Sequence, residues 1–569
     1  MQISVHERML ELMEAEGIKT LFGIPDPGFV ALFVTAEARG WQVVAPHHEQ
    51  AGAFMADGQW RITGRPGVII GNQGPGVANL AAAAICAAKE NIPTIFIAGQ
   101  RPRVFDQRVR KGRFQYTQQP KYFEAAMKYV GVIEYPEQVD EIFHEAFRKA
   151  LSGTPGPVYI EYPQNMVGPT LEVSGPPPAP HTYRLTHQAA SAEAIAEASE
   201  LIGAAESPIL LVGQGAFVSR AHDAVAQLAR TLACPIIQTP GGAAVLPGLE
   251  SVTFSYASPS GTAAVAAADL VIAVGTEIGE PTHYGTGRHW AQGRTDRKWI
   301  YIEREATAIG VNRPIDVPLV GDLRDVVPQL DAACRPLNRA PAAALAEWQA
   351  AHAELGRMLV ETAPTRSTPI HPARFVIEAT RVLPDDAVVV RDGGSVSIFT
   401  GAYAQKPPRD VLWSQNFGHL GTGLPHAIGV QLALGDDARR VVLISGDSSF
   451  LFHISELETA VRKNLPVVCI VGCDYAWGLE VKVYQQAFGM QSPETEAHWG
   501  KGLRLDKIAE GFGAFGIYVD KAEDVAPAVE AALASGRPAV VQVAIDSLAN
   551  AAEVPGFEEF ASWYGDGGY

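Results

Sequence analysis

Two aspartates follow successive apolar runs of the chain, and their carboxylates suit a hard cation. Asp447 follows the run at 440–445, and Asp474 follows the run at 466–472. Mg²⁺ is bound by oxygen ligands such as carboxylates, backbone carbonyls and phosphates. We therefore predict that Asp447, Asp474 and the backbone carbonyl near Ala476 hold Mg²⁺ on a phosphate-bearing ligand. The alternative is an ordinary βαβ unit in which these acids only cap a helix and bind water.

Glycine- and serine-rich turns next to these aspartates suit phosphate groups. The turn at 446–449 precedes a helical pattern, and the first N–H groups of a helix bind anions. A glycine pair also follows the predicted strand at 387–390, where it lets backbone N–H groups approach a phosphate. The residues predicted to bind this phosphate-bearing ligand, directly or through the cation, are Gly394, Ser395, Gly446, Asp447, Ser448, Ser449 and Asp474.

The elements that must position these residues alternate between strand and helix patterns along three successive segments. This alternation predicts an α/β fold of three domains, each a mainly parallel sheet covered by helices. The predicted domains are residues 1–173, 190–335 and 373–548, with a proline-rich linker at 174–187. Residues 549–569 form a tail rich in acids, glycine and aromatic residues.

Composition narrows the class of protein. The chain has 569 residues and a net charge of −17, which argues against nucleic acid or an anionic membrane as the main partner. No apolar run is long enough to span a bilayer, and the N-terminus lacks the apolar core of a signal peptide. The five cysteines show no CxxC pairing. We expect a cytoplasmic enzyme without a disulfide scaffold or a zinc site.

The aspartate region resembles the thiamine diphosphate motif, in which Gly-Asp-Gly is followed by an asparagine pair. Here Ser448 replaces the third residue, and Cys473-Asp474 replaces the pair. The sequence HHEQAGAFMADG at 47–58 also resembles the HEQ…AADGYAR pattern of the same enzymes. Domain order resembles the pyruvate oxidase/acetolactate synthase-like superfamily. The resemblance implies pyrimidine-binding, central and diphosphate-binding domains, thiamine diphosphate with Mg²⁺, and a homodimer or homotetramer.

Two residues acquire cofactor roles through this resemblance. Glu49 corresponds to the glutamate that binds the aminopyrimidine ring, where a carboxylate favours the tautomer that deprotonates the thiazolium carbon. Leu420, in the glycine-rich sequence GHLGTGLP, corresponds to the bulky side chain beneath the cofactor. The alternatives are an acid that complements a helix dipole and an ordinary loop leucine.

Three further residues are predicted on the substrate side. Gln115 resembles the family's substrate-facing glutamine or glutamate, and Glu480 follows Asp474 in a segment that covers the cofactor in relatives. Glu480 and His419 are candidates for proton transfer. The alternatives are a solvated helix acid for Glu480 and a structural hydrogen bond for His419.

The resemblance leaves the reaction open within one class. Our main expectation is a 2-hydroxyacyl-CoA lyase that releases an aldehyde or ketone and formyl-CoA. The alternative is a 2-oxo-acid decarboxylase or an acetolactate-synthase-like carboligase. The segment at 275–283 lacks the arginines that contact flavin in acetolactate synthases, so we expect no flavin.

Binding of a coenzyme A thioester would need further contacts. The segment at 101–113 carries six basic residues against one acid and could bind coenzyme A phosphates, although a solvated or subunit-facing surface is the default. The tail could close over such a substrate as a lid.

Two other classes of protein stay open. One is a non-catalytic nucleotide-binding protein. The other is a dehydrogenase, suggested by the Gly-Gln-Gly turn at 213–215, although this turn lacks the third glycine of the usual dinucleotide-binding fingerprint.

Overall fold

The computed structural model describes residues 1–242, 246, 248–406, 408–481, 496–549, 551–559 and 561. The chain forms two compact units. The first contains Met1–Thr186, Ser414–Asp437 and Phe452–Val467, and the second contains His187–Trp413, Ala438–Leu451 and Val468–Tyr569. Within the described ranges, three six-stranded parallel sheets are present, one in the first unit and two in the second. The predicted α/β class with three parallel sheets is therefore confirmed.

The first unit is built on one sheet whose strands are largely apolar and buried, as a sheet with helices on both faces requires. The strands are β1 (Gln2–Ser4), β2 (Thr20–Gly23), β3 (Gln42–Val44), β4 (Val68–Gly71), β5 (Ile95–Gln100), β6 (Tyr129–Val132), β7 (Val158–Pro163) and β8 (Thr170–Glu172). Across the sheet their order is β3-β2-β4-β5-β7-β6, while β1 and β8 form a separate antiparallel pair. The first helices of this unit are α1 (Val5–Ala15), α2 (Val30–Ala38), α3 (Glu49–Thr63), α4 (Pro75–Asn79), α5 (Ala81–Lys89), α6 (Gln119–Phe123) and α7 (Val139–Leu151).

The central sheet belongs to the second unit and has its own apolar core. Its strands are β9 (Pro208–Val212), β10 (Ile236–Gln238), β11 (Thr253–Ser255), β12 (Leu270–Val274), β13 (Lys298–Glu303) and β14 (Val317–Val320), in the order β11-β10-β9-β12-β13-β14. The helices in this part of the chain are α8 (Ala192–Ala204), α9 (Gln214–Val218), α10 (His222–Leu232), α11 (Pro259–Ala267), α12 (Leu323–Cys334) and α13 (Leu345–Thr362).

The third sheet also lies in the second unit. Its strands are β15 (Val388–Asp392), β16 (Asp410–Leu412), β17 (Val441–Gly446), β18 (Val468–Cys473), β19 (Phe515–Val519) and β20 (Ala539–Ala544), in the order β16-β15-β17-β18-β20-β19. The remaining helices are α14 (Pro372–Thr380), α15 (Ser395–Tyr403), α16 (Gly423–Leu434), α17 (Asp447–Leu451), α18 (Glu456–Arg462), α19 (Leu505–Gly511) and α20 (Ala522–Ala534). Of these, α16 and α18 lie in the first unit.

Strand order marks where each sheet should bind a ligand. In the first unit the chain leaves β2 for β3 on one side and then returns to place β4 on the other side of β2. The third sheet repeats this pattern, with β16 and β17 on opposite sides of β15. Such reversals open a crevice at the carboxyl ends of the strands.

Some local expectations were wrong. The helical pattern after Asp447 predicts one helix, but the chain forms α17 and α18, separated by a turn in which Glu456 N–H donates to the His453 carbonyl (2.9 Å). The turn expected at 213–215 is instead the start of a helix, because α9 begins at Gln214. Among the described residues, no helix is both long and apolar enough to cross a membrane.

Candidate active site

The loops that follow β15 and β17 meet at the strand reversal in the third sheet. A Cβ atom added to Gly393 would lie 3.1 Å from the Gly446 nitrogen and 3.4 Å from the Ser449 hydroxyl oxygen. Gly393 has a φ of +98°, which a residue with a side chain rarely adopts. The glycine-rich turn therefore brings its backbone against the Gly-Asp-Ser-Ser loop, and the predicted phosphate-binding residues of the two loops are neighbours.

Asp447 and Asp474 lie side by side. Asp447 is almost fully buried, and its two carboxylate oxygens accept backbone N–H groups from Ser448 and Tyr475, each at 3.0 Å. Burial and the neighbouring Asp474 carboxylate raise the pKa of Asp447 well above its usual value. Burial also raises the pKa of Asp474, to about 6. Two adjacent carboxylates in a low-dielectric site repel each other unless a proton or a cation lies between them.

The chain after Asp474 folds closely over this pair. Ala476 donates its N–H to Asp474 Oδ1 at 3.1 Å, while its carbonyl stays a predicted metal ligand. Gly478 packs against the Asp474 carboxylate with no room for a side chain. Glu480, the predicted proton-transfer acid, is exposed on the next turn, although its charge raises the pKa of Asp474.

Glu49 begins α3, and its carboxylate is buried in a niche of the first unit. The exposed fraction of Glu49 is 6%, so the side chain does not face water. Its Oε2 atom accepts a hydrogen bond from Asn79 Nδ2 at 2.9 Å. A Cβ atom on Gly76 would lie 2.9 Å from Glu49 Oε1. Asn79 and Gly76 therefore fix the carboxylate from two sides.

Sequence reasoning did not single out Asn79. The residue lies at the end of α4, the short helix that the loop at 72–76 opens. Its position, one helical turn after Gly76, was the signal that could have identified it, because residues three apart on a helix share a face.

Leu420, the residue predicted to lie beneath the cofactor, is in a turn that contacts the start of α3. His419 Nε2 is 3.1 Å from Gln50 Nε2, and His419 Nδ1 is 2.7 Å from the Leu420 carbonyl oxygen. A carbonyl only accepts, so Nδ1 carries the proton and Nε2 accepts from the Gln50 amide. Burial lowers the pKa of His419. The structure therefore brings His419 and Leu420 next to the residue that follows Glu49.

Gln115 lies against the loop that carries Gly76. Its φ is +54°, an unusual value for a residue with a side chain, and strain of this kind is concentrated at functional sites. Gln73 Nε2 donates to Gln115 Oε1 at 3.3 Å, and the backbone of Gln115 leaves no room for a side chain on Gly74. Buried Gln119 holds the same loop by accepting the Gly74 N–H at 2.7 Å.

The predicted site residues thus fall into two groups, each gathered within one unit. The first unit holds Glu49, Gln115, His419 and Leu420. The second unit holds Gly394, Ser395, Gly446, Asp447, Ser448, Ser449, Asp474, Ala476 and Glu480. Whether these residues perform the predicted roles stays a prediction.

The C-terminal segment contacts the domain of the central sheet. Glu559 lies 3.0 Å from His283 Nε2 and 2.8 Å from His289 Nε2. Burial alone would raise the pKa of Glu559, but the two histidines and Arg288 outweigh it, and the net pKa is lowered. The prediction of a lid also involves Phe560, Trp563, Tyr564 and Tyr569, which lie outside the described residues.

The donor groups fit thiamine diphosphate with Mg²⁺. The buried Ser449 hydroxyl has no hydrogen-bond partner among the described residues, beside a glycine-rich turn that a side chain would fill. The two carboxylates at the same strand ends repel each other unless a proton or a cation is shared between them. Within the described part of the chain, no cluster of three or more His, Cys, Asp or Glu side chains could hold a metal. A cation here would therefore need the backbone and phosphate oxygens that the prediction assigns to it.

Comparison with known families agrees with this arrangement. The N-terminal TPP binding domain of thiamine pyrophosphate enzymes matches residues 3–125, and the central domain of these enzymes matches residues 195–330. Their C-terminal TPP binding domain matches residues 392–543. The chain therefore belongs to the thiamine pyrophosphate enzyme family, of the acetolactate synthase/pyruvate oxidase type.

Similar proteins cover nearly the whole chain. The probable acetolactate synthase large subunit of Methanocaldococcus jannaschii is 27% identical over 95% of this chain and 91% of its own length. The acetolactate synthase large subunit of Parasynechococcus marenigrum is 29% identical over 95% of this chain and 87% of its own length. The sulfoacetaldehyde acetyltransferase of Alcaligenes xylosoxydans xylosoxydans is 27% identical over 94% of this chain and 92% of its own length. These names match the predicted alternative better than the main expectation of a 2-hydroxyacyl-CoA lyase.

Proposed function

We propose that this protein is a thiamine diphosphate- and Mg²⁺-dependent carboligase that resembles acetolactate synthase. It would cleave the bond between the carboxylate and the carbonyl carbon of a 2-oxo acid and transfer the remaining acyl unit to a second carbonyl compound. The observation that carries the proposal is the buried Glu49 carboxylate, which accepts a hydrogen bond from Asn79 and packs against Gly76. Relatives named as acetolactate synthases and sulfoacetaldehyde acetyltransferases support acyl transfer.

Each group of residues has a proposed task. Asp447, Asp474 and the Ala476 carbonyl would hold Mg²⁺, and the turns at Gly394 and Ser449 would donate N–H and hydroxyl groups to the diphosphate. Bound thiamine diphosphate supplies an acidic carbon that adds to a carbonyl and accepts the electrons of the bond that breaks.

The first unit would control protons and orientation. Glu49 would hold a proton at the far ring nitrogen of the cofactor, since its niche leaves the carboxylate little freedom. Leu420 would contact the bound cofactor from the turn that His419 stabilises. Gln115, at the strained position beside Gly74, would orient the substrate, and His419 and Glu480 would move protons.

Product analysis tests this proposal. The purified protein would be incubated with thiamine diphosphate, Mg²⁺ and pyruvate, with and without a second 2-oxo acid or aldehyde, and the products identified by mass spectrometry. We expect carbon dioxide and a 2-hydroxy ketone or 2-hydroxy-3-oxo acid, and we expect Glu49→Gln to abolish both without unfolding the protein. Absence of any product from a panel of 2-oxo acids would overturn the proposal.

Related measurements distinguish the other candidate functions. Formyl-CoA from a 2-hydroxyacyl-CoA would support the lyase that we expected from sequence. If Glu49→Gln leaves both cofactor binding and any activity unchanged, the protein is non-catalytic. Binding of a nicotinamide nucleotide, followed by titration, would indicate the dehydrogenase.

A further inference from the structure

The segment that follows α17 lies along the edge of the first unit's sheet. β3 is an edge strand, so carbonyls along its outer side lack partners in the sheet. Lys463 Nζ donates to the Val43 carbonyl, and the Arg462 guanidinium donates to the Ala45 carbonyl, both at 2.7 Å. These bonds hold α18 against the chain that leads from β3 to Glu49.

Glu456 extends this contact to the residues directly before Glu49. Its carboxylate is fully buried, and Oε1 accepts the backbone N–H of His47 at 2.9 Å. Oε2 accepts the Thr459 hydroxyl at 2.7 Å. His48 then caps α3 by accepting the Gln50 N–H, and Glu49 begins the helix. The backbone that sets the direction of the Glu49 side chain is therefore fixed by a buried carboxylate of another element.

His453 makes a corresponding contact with the turn that carries Leu420. Its Nδ1 atom is 2.7 Å from the Gly421 carbonyl oxygen, so Nδ1 carries the proton and donates. Gly421 has a φ of +85° and lies against Phe452, so this turn leaves no room for a side chain. The bond from His453 holds the carbonyl immediately after Leu420.

We propose that the segment from Phe452 to Lys463 is a positioning element for the cofactor-binding residues of the first unit, with Glu456 and His453 as its positioning residues. Glu456 fixes the approach to Glu49, and His453 fixes the turn of Leu420. The inference rests on the proposed function, since both target residues matter only through the cofactor. Neither positioning residue is predicted to touch the cofactor or the substrate.

Substitutions that keep or remove the hydrogen bonds test this role. Glu456→Gln keeps an oxygen acceptor for His47 and a partner for Thr459, whereas Glu456→Ala leaves a buried N–H unpaired. His453→Asn keeps a donor near the Nδ1 position, and His453→Leu removes it. Glu458→Gln is the matched control, because Glu458 lies on the same helix, its contact with the His47 ring is exposed, and a glutamine keeps an oxygen acceptor for Arg462.

Two measurements would be made on the full-length protein. Calorimetric titration would give the affinity for thiamine diphosphate with Mg²⁺, and hydrogen–deuterium exchange without cofactor would report on the amides at 45–50 and 418–422. We expect Glu456→Ala and His453→Leu to weaken cofactor affinity about tenfold to a hundredfold, the usual equivalent of an unpaired buried group. Exchange should rise at 45–50 in Glu456→Ala and at 418–422 in His453→Leu. The Gln, Asn and control variants should stay within about threefold of the parent.

The outcomes separate this inference from the proposed function. If the parent does not bind thiamine diphosphate, the proposed function fails, while the exchange measurement still decides whether the loops are held. If the parent binds and Glu456→Ala matches it in affinity and exchange, the positioning role fails. An equal loss in Glu456→Gln and Glu456→Ala would also overturn it, because the charge and not the acceptor would then matter.

Discussion

A methyl group at Gly76 should displace the Glu49 carboxylate. The added Cβ would lie 2.9 Å from Glu49 Oε1 and 3.1 Å from the Asn72 Cβ, whereas ordinary contacts of this kind begin near 3.4 Å. Either the carboxylate or the start of α4 must move by about 0.5 Å. Overpacking of this size costs about 1–3 kcal/mol, which corresponds to roughly five- to 150-fold in an equilibrium or rate.

We expect Gly76→Ala to lower thiamine diphosphate affinity and kcat by a combined factor in this range. The reason is that Glu49 must reach the cofactor ring with correct geometry, and a small displacement of a catalytic group lowers the reaction rate strongly. Calorimetry would give the affinity, and steady-state carboligation of a 2-oxo acid would give kcat. Gly168→Ala is the matched control, because Gly168 is exposed and has nothing within 4 Å of an added Cβ.

A double-mutant cycle identifies the clashing partner. In a Glu49→Ala background the carboxylate is gone, so adding Gly76→Ala should change the remaining cofactor affinity by less than about threefold. Parent-like affinity and kcat in Gly76→Ala would refute the reasoning. A loss of equal size in the Glu49→Ala background would also refute it, because the clash would then involve the backbone of α4 and not the carboxylate.

Three further predictions concern other parts of the chain. Burial lowers the pKa of His453 from 6.5 to about 4, so below about pH 6.5 the unfolded chain binds a proton that the folded protein binds only near pH 4. The free energy of unfolding should therefore fall between these pH values. Urea unfolding should show that His453→Asn loses about 3 kcal/mol less stability than the parent between pH 7 and pH 4. Asp474→Asn keeps an oxygen ligand and removes one of two repelling charges, so differential scanning calorimetry should show a higher melting temperature for the cofactor-free variant, with Mg²⁺-dependent activity retained. Glu559→Ala removes the acceptor for His283 and His289, so limited proteolysis should cleave the C-terminal segment faster than in the parent, and a control Glu558→Ala should not.

The fold was predictable because hydrophobic patterns specify parallel sheets strongly. Runs such as Val68–Gly71 and Val441–Gly446 are apolar throughout, which indicates strands covered on both faces. The interruption between α17 and α18 was not predictable in this way. Its apolar spacing continues through Phe450, Ile454 and Leu457, whereas the side chains at the interruption bind Gly421 and His47, which are distant in sequence.

The candidate site likewise contains residues that could be predicted from the sequence and residues that could not. Asp447 and Asp474 could be found from sequence because each follows a strand of one sheet, and neighbouring strands bring their carboxyl ends together. Asn79 could be found only through its helical spacing from Gly76, and Glu456 could not be found, since it acts through a contact that no local pattern specifies. A residue 30 positions from Glu49 and another 409 positions from His47 become neighbours only when the sheet and its helices pack.

Local backbone contacts explain why two unusual residues in the motif are compatible with the proposed chemistry. Ser448 stands where the resemblance implies glycine, and its N–H donates to Asp447 as a backbone group that any residue supplies. Asp474 stands where asparagine is implied, and the Ala476 N–H still binds its Oδ1. What the aspartate adds is negative charge beside Asp447, which a divalent cation neutralises better than a proton does at neutral pH. The departures from the motif should therefore make cofactor-free protein less stable and metal binding more favourable, and not abolish the site.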